Sequence, residues 1–237
     1  MIPHVIHRVW LGENPLPTEF AGYGETWLHH NPGWELRLWT EMDVPTDLRR
    51  PEAAERLRFP AERADILRLE ILWREGGVYV DTDFECIRPI GPLLAGVDFF
   101  VAFLKPHRVN NAIIGSVPGH TLLSRGLTEM HPVRTYGYDK SAAGPLFVDS
   151  LVRGAPGVVC FPAELFYPSS PAERENAVAL HHAARSWKDA EGFVLSAGLA
   201  DRRVRSLRRR LPLARARRRF TEARLVRARA RVAALRG

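Results

Sequence analysis

The chain has 237 residues, 46% of them hydrophobic and 26% charged, enough for one α/β unit with a full core and a tail, in the proportions of a soluble globular protein. No run of about 18 apolar residues occurs, which excludes a spanning helix, and Cys86 and Cys160 match no metal-knuckle spacing, so two reduced thiols of a cytoplasmic protein are expected. The net charge of +7 is divided: residues 201–237 hold fifteen arginines against Asp201 and Glu222, a local +13 that leaves −6 for residues 1–200, and this excludes a nucleic-acid-binding fold in which the body itself presents the basic face.

In chain order, the opening stretch Met1 to His7 has no charged leader before an apolar block, so no secretory signal is read there. Residues 4–10, HVIHRVW, predict a short buried strand ending at Trp10. The loop Asn14-Pro15-Leu16-Pro17 leads to Thr18, expected to cap a helix running to about His30, with Phe20, Tyr23, Trp27 and Leu28 on one face. Asn31-Pro32-Gly33 stops it, and 34–39 alternates as a strand. Residues 60–75 predict a strong helix with Ala64, Leu67 and Ile71 as its apolar stripe, ended by Gly76-Gly77. Val78-Tyr79-Val80 is a brief apolar strand running into Asp81-Thr82-Asp83. Strands are expected at 99–104, 111–116, 158–161 and 176–182, and helices near 118–130 and 141–153. This alternation argues for a mostly parallel sheet with helices on both faces, whose ligands bind beyond the carboxyl ends of the strands.

Asp81 and Asp83 fall at such an end. In an extended D-x-D the two carboxylates point to the same side. Two hard oxygen ligands suit Mn²⁺ or Mg²⁺ bound jointly with a diphosphate, although a lone triplet is also what a solvated turn looks like. Asp65 and Arg68 are three apart on the preceding helix and share a face; they are either a surface pair or two groups reaching into a pocket. Trp10 is placed to stack on a base or to fill the core. Of the doublet His181-His182 only one member can face the site, because neighbours on a strand point to opposite faces.

The stretch Arg63 to Pro89, RADILRLEILWREGGVYVDTDFECIRP, resembles the glycosyltransferase family that includes yeast initiating mannosyltransferases, bacterial capsular sugar transferases and the catalytic domains of large clostridial toxins. The shared pattern is R-x-D-x-x-R, then helix, then E-G-G-x-Y-x-D-x-D. The opening IPHVIHRVWLG resembles that family's first strand, and Asn110-Asn111, Gly144-Pro145 and His181-His182-x-x-x-Ser186-Trp187 follow in order. The resemblance implies a GT-A fold over residues 1–200, a single nucleotide-binding α/β domain, and a retaining, metal-dependent transfer from a UDP- or GDP-sugar to a saccharide or lipid-linked acceptor. It implies that Asp81 contacts ribose and metal and that Asp83 binds the metal. Trp10 would stack on the base, Asp65 and Arg68 would hold sugar hydroxyls, and Asn111 would line the donor site. His181 would complete the metal site, with Ser186 and Trp187 closing over the phosphates. Two rivals compete with this reading. An aspartyl phosphatase also places D-x-D after an apolar strand, but it needs a later acidic pair that is missing here. A membrane- or nucleic-acid-binding module driven by the tail leaves the body unexplained.

In the tail, Val204, Leu207, Leu211 and Ala214 fall at helical spacing, as do Leu225, Ala228, Val232 and Leu235, with Pro212 dividing the two stretches. An arginine-rich amphipathic helix over 201–237 suits an anionic membrane surface, each basic residue there contributing about 1 kcal/mol. The expected placement is cytoplasmic, held peripherally at the inner face of the membrane, with no nucleic-acid partner. The competing arrangement is a helix packed on the acidic body. Deletion of residues 201–237 is expected to abolish sedimentation with anionic liposomes while sparing hydrolysis of a nucleotide sugar; an intact protein that ignores such liposomes at low salt contradicts it.

Overall fold

The computed structural model describes residues 1–52, 60–130 and 143–184. The apolar run behind His4 forms β1 (Val5–Val9), which pairs in parallel with β2 (Glu35–Trp39) on one side and with β3 (Gly77–Val80) on the other. Beyond β3 lie β6 (Arg108–Ser116), β5 (Phe99–Lys105) and β7 (Val158–Phe161), giving the order β2-β1-β3-β6-β5-β7. Strand β6 runs against both of its neighbours and β5 pairs in parallel with β7, so every strand but β6 has the same direction. The expected single α/β unit with a mostly parallel sheet is therefore present. The tail from 201 onward, and with it the proposed boundary at residue 200, lies outside the described residues.

Period-two alternation in the strands sorts the core into two layers. Tyr79, Phe99, Val101 and Ile114 face α2 (Pro60–Glu75), α3 (Thr121–Glu129) and α4 (Pro145–Val152). Val78, Val80, Phe100 and Ile113 face the side of α1 (Thr18–His30), where Trp27 is fully buried. Burial of one such large side chain contributes roughly 1.5–3 kcal/mol. Two details of α1 differ from expectation. Pro17 occupies the N-cap position, without a side-chain cap, and Thr18 is already helical; the ring fixes proline's φ at about −65°. Leu28 points outward and is exposed, so the buried stripe is Phe20, Gly24 and Trp27.

A second, two-stranded sheet was legible only in half. The strand expected near 176–182 is β8 (Ala179–His181), and it pairs antiparallel with β4 (Phe84–Cys86), which follows directly on the D-x-D. Helix α1 anchors this ribbon: Trp27 Nε1 donates to Phe84 O at 3.0 Å, and Cys86 N donates to Thr26 Oγ1 at 2.9 Å. Both cysteines are buried and unbridged.

The turn from α2 into β3 is set by Gly76 and Gly77, both at positive φ. A Cβ on Gly77 would stand 2.7 Å from Val5 O and 2.9 Å from His7 Nε2, so only glycine lets β3 close onto β1. His7 is fully buried there. Its Nε2 lies 3.0 Å from Gly76 O, and its Nδ1 accepts from Trp39 Nε1 at 3.1 Å. These partners require the neutral imidazole, protonated on Nε2 alone. Burial pulls the His7 pKa down to about 4, the bond to Gly76 opposing it. An unfolded His7 binds its proton near pH 6.5. The stabilisation is therefore complete above that pH and is lost as pH falls toward 4, by about 3 kcal/mol at the limit. Denaturant titrations at pH 7 and pH 5 should show His7→Gln losing less stability on acidification than the parent protein; parallel losses would contradict the assignment.

Candidate metal and donor site

Backbone pairing carries β3 one residue past its end, since Asp81 N donates to Ala112 O at 2.9 Å. The chain then turns instead of staying extended: Phe84 N donates to Asp81 O at 3.1 Å. The extended D-x-D expected from the sequence is thus a tight turn between β3 and β4, and the convergence of its carboxylates comes from outside the segment. Arg8, in the middle of β1, supplies part of it. Its Nη2 donates to Thr82 O and to Phe20 O, both at 2.5 Å, and the side chain is buried. Room for this guanidinium exists because Gly24 faces it; a Cβ there would stand 2.2 Å from Nη1. Burial lowers the Arg8 pKa to about 10, with Tyr79 and Asp83 acting in the other direction.

Each aspartate has one oxygen anchored and one presented. Asp81 Oδ1 accepts from Tyr79 Oη at 2.8 Å and from Arg68 Nη1 at 3.0 Å. Asp83 Oδ2 accepts from Ala184 N at 2.8 Å. The other oxygens face His181: Asp83 Oδ1 lies 3.1 Å from its Nε2 and Asp81 Oδ2 4.0 Å. One ligand atom from each of the three lies within 4.8 Å of the others. The β4–β8 register brings this about by setting Phe84 opposite His181, and the two rings stack at 4.6 Å.

The electrostatics fit a place for a cation. Burial raises the Asp81 pKa, against the pull of Arg68, and the charge of Asp83 adds to the rise. Burial pushes Asp83 the same way, but the bond and charge of His181 and the Ala184 amide outweigh it and hold this carboxyl below its ordinary value. For His181, burial acts downward, yet the bond to Asp83 and the charges of both aspartates lift it above its usual range. Two crowded carboxylates facing one imidazole favour positive charge at this point, which a divalent cation held by the three groups would supply. The donor set, two carboxylate oxygens and one imidazole nitrogen, fits Mn²⁺ or Mg²⁺.

The sequence-predicted residues divide as follows. Asp65 and Arg68 are buried, not a surface pair, and bridge at 2.9 Å. Arg68 also donates from Nη1 to Asn111 O at 2.7 Å and from Nε to Ala64 O at 3.2 Å, and it lies 4.3 Å over the Tyr79 ring. Asn111 Nδ2 donates to Asp65 Oδ1 at 2.7 Å. All three nitrogens of the Arg68 guanidinium therefore have protein partners, and one of these partners is the D-x-D itself. Trp10 sits half-buried beyond β1, at the same sheet edge. Its Nε1 donates to Asn14 O and its ring meets Phe20 edge-on. His182 turns away, with its ring stacked on Tyr23 at 4.4 Å and its Nε2 3.0 Å from Glu85 Oε2. Of the doublet, His181 is the inward member. Ser186 and Trp187 lie outside the described residues. Sequence reasoning assigned no role to Arg8 or Tyr79. The signals were a charge inside an apolar strand and a tyrosine two residues before Asp81, on the same face.

The family model for the glycosyltransferase sugar-binding region containing a DXD motif matches residues 17–100. The chain is 31% identical over 161 residues to the mannosyl phosphorylinositol ceramide synthase SUR1 of Saccharomyces cerevisiae, covering 62% of this chain and 41% of that one. It is 35% identical over 130 residues to the uncharacterized glycosyltransferase L373 of Acanthamoeba polyphaga mimivirus, covering 51% and 52%. The chain thus spans about half the length of these relatives, or less. Among solved structures, the PaToxG glycosyltransferase aligns with a TM-score of 0.49 and 13% identity, over 100% of this chain and 87% of that one.

Proposed function

We propose that the chain is a glycosyltransferase with a DXD-containing sugar-binding region, a reading supported by the matching family model and the two relatives, and that it moves a hexose from a nucleotide-sugar donor onto a saccharide or lipid-linked acceptor, with retention. The observation that carries the reading is the paired presentation of Asp81 Oδ2 and Asp83 Oδ1 beside His181 Nε2. These three would hold Mn²⁺ or Mg²⁺. When bound, the cation supplies charge neutralisation for the departing nucleoside diphosphate.

The chain's own residues do the rest. Arg68 and Tyr79 fix the orientation of Asp81, so the presented oxygen needs no reorganisation when donor arrives. Arg8 fixes the carbonyl between the two aspartates. The buried Asp65–Arg68–Asn111 group lies on the Asp81 side of the site, and we assign the donor sugar to that side. Trp10, at the same edge, is the proposed base-stacking residue. Because Arg68 also anchors Asp81, its removal should weaken the free nucleoside diphosphate as well as the nucleotide sugar. A relative named for mannosyl phosphorylinositol ceramide synthesis supports GDP-mannose as the first donor to test and a lipid-linked acceptor as the first acceptor class, with the UDP-hexoses next. A basic tail drawn to anionic lipid would bring the enzyme to such an acceptor.

Release of nucleoside diphosphate, screened over GDP-mannose and UDP-hexoses with Mn²⁺, is the direct assay. Asp83→Ala should lower release at least 100-fold, the scale of losing one charge-stabilising group at a reacting centre, with a melting temperature close to that of the parent. EDTA should do the same, with recovery on added Mn²⁺. Full activity in EDTA or in Asp83→Ala would overturn the proposal.

A further inference from the structure

Tyr167 has no part in the metal triad or in the Arg68 network, yet its ring packs on His181 of the triad. It follows the carboxyl end of β7 through a short 3-10 turn, Ala163–Leu165, and its N donates to Ala163 O at 2.7 Å. Since β7 runs in the same direction as β1 and β3, this places it at the sheet edge of the D-x-D. The segment is tied to the approach to β8, where Val178 N donates to Leu165 O at 2.8 Å. Its ring meets His181 edge-on at 5.5 Å and Phe84 at 5.6 Å.

The hydroxyl is the unexplained part. Tyr167 Oη is buried, and among the described residues it has no hydrogen-bond partner. A buried polar group without a partner costs free energy, and phenylalanine would make the same ring contacts without that cost. A phenol hydroxyl is an O–H donor as well as an acceptor, and this ring packs directly on His181. It is therefore an O–H donor beside the proposed cation site. In a nucleotide-sugar donor the group that would bring oxygens to a cation held by two aspartates and a histidine is the diphosphate.

We infer that Tyr167 Oη donates a hydrogen bond to a diphosphate oxygen of the bound nucleotide, making Tyr167 a donor-binding residue contributed from the far side of the sheet. This rests on the glycosyltransferase reading above, and the experiment separates the two. Calorimetry on the full-length protein and on Tyr167→Phe uses Mn²⁺ alone, GDP and UDP with Mn²⁺, and GDP-mannose with Mn²⁺, accompanied by thermal melts without ligand. Expected for Tyr167→Phe are Mn²⁺ affinity within twofold of the parent and an unchanged or raised melting temperature. The nucleoside diphosphate that the parent prefers should bind about tenfold more weakly, equivalent to about 1.4 kcal/mol, with a matching loss for the nucleotide sugar. Nucleoside diphosphate affinity within twofold of the parent overturns the inference alone. A loss confined to the nucleotide sugar also overturns it, by assigning the hydroxyl to the sugar. A lowered melting temperature with weakened Mn²⁺ binding overturns it in favour of a packing role. A parent protein that binds neither diphosphate with Mn²⁺ overturns the glycosyltransferase reading and the inference together.

Discussion

Asp65, Asp81 and Asp83 gather at one edge of the sheet, and the guanidinium of Arg68 makes the gathering tolerable. It binds Asp65 and Asp81 at once, takes the carbonyl of Asn111 and lies on the ring of Tyr79. A buried carboxylate without compensation is costly, and removing one partner of a buried pair costs about 3–5 kcal/mol. Most of the local architecture can be read as delivery of this one cation. Helix α2 carries it at the right height, the Gly76-Gly77 turn returns the chain as β3, and β3 brings Tyr79 and Asp81 past it. His7 holds that turn by its bond to Gly76 O, so a neutral imidazole in the core serves a charge cluster at the strand end.

The second compensating group is His181, and it arrives by a different route. Strand β8 is distant in sequence, but its pairing with β4 sets His181 across from Phe84, the residue after Asp83. The outward neighbour His182 secures the strand by stacking on Tyr23 and approaching Glu85, while its N donates to Asp83 O. The site therefore has a fixed half, built from α2, β1 and β3, and a half held by the small ribbon. Arg68 permanently compensates the fixed half. His181 faces the other half, with its Nε2 3.1 Å from Asp83 Oδ1, and would ligate a metal ion through its neutral imidazole.

What was legible in the sequence follows from the range of the interactions. Helix α2, the glycine turn and β3 are local patterns, and Asp81 and Asp83 were found because an apolar strand ran straight into them. The spacing of Asp65 and Arg68 put them on one face but said nothing of burial, which depends on Asn111 more than forty residues away. The parity of a strand showed that only one of His181 and His182 could face inward; the register with β4 was needed to say which. The turn at Asp81–Phe84 was missed because alternation describes an extended chain, whereas here Arg8 holds the Thr82 carbonyl from another strand. Tyr167 carried no sequence signal, since its meaning lies in a hydroxyl that tertiary packing leaves without a partner.

The central claim is that Asp81, Asp83 and His181 hold a divalent cation together with a nucleoside diphosphate. Pulsed electron paramagnetic resonance on the protein with Mn²⁺ and the preferred diphosphate tests it directly, because imidazole nitrogen and phosphate phosphorus each couple to the metal spin. The account predicts both couplings in one complex, with the nitrogen coupling absent from His181→Ala and the phosphorus coupling retained. Mn²⁺ that binds without nitrogen coupling, or with a nitrogen coupling that persists in His181→Ala, would contradict it.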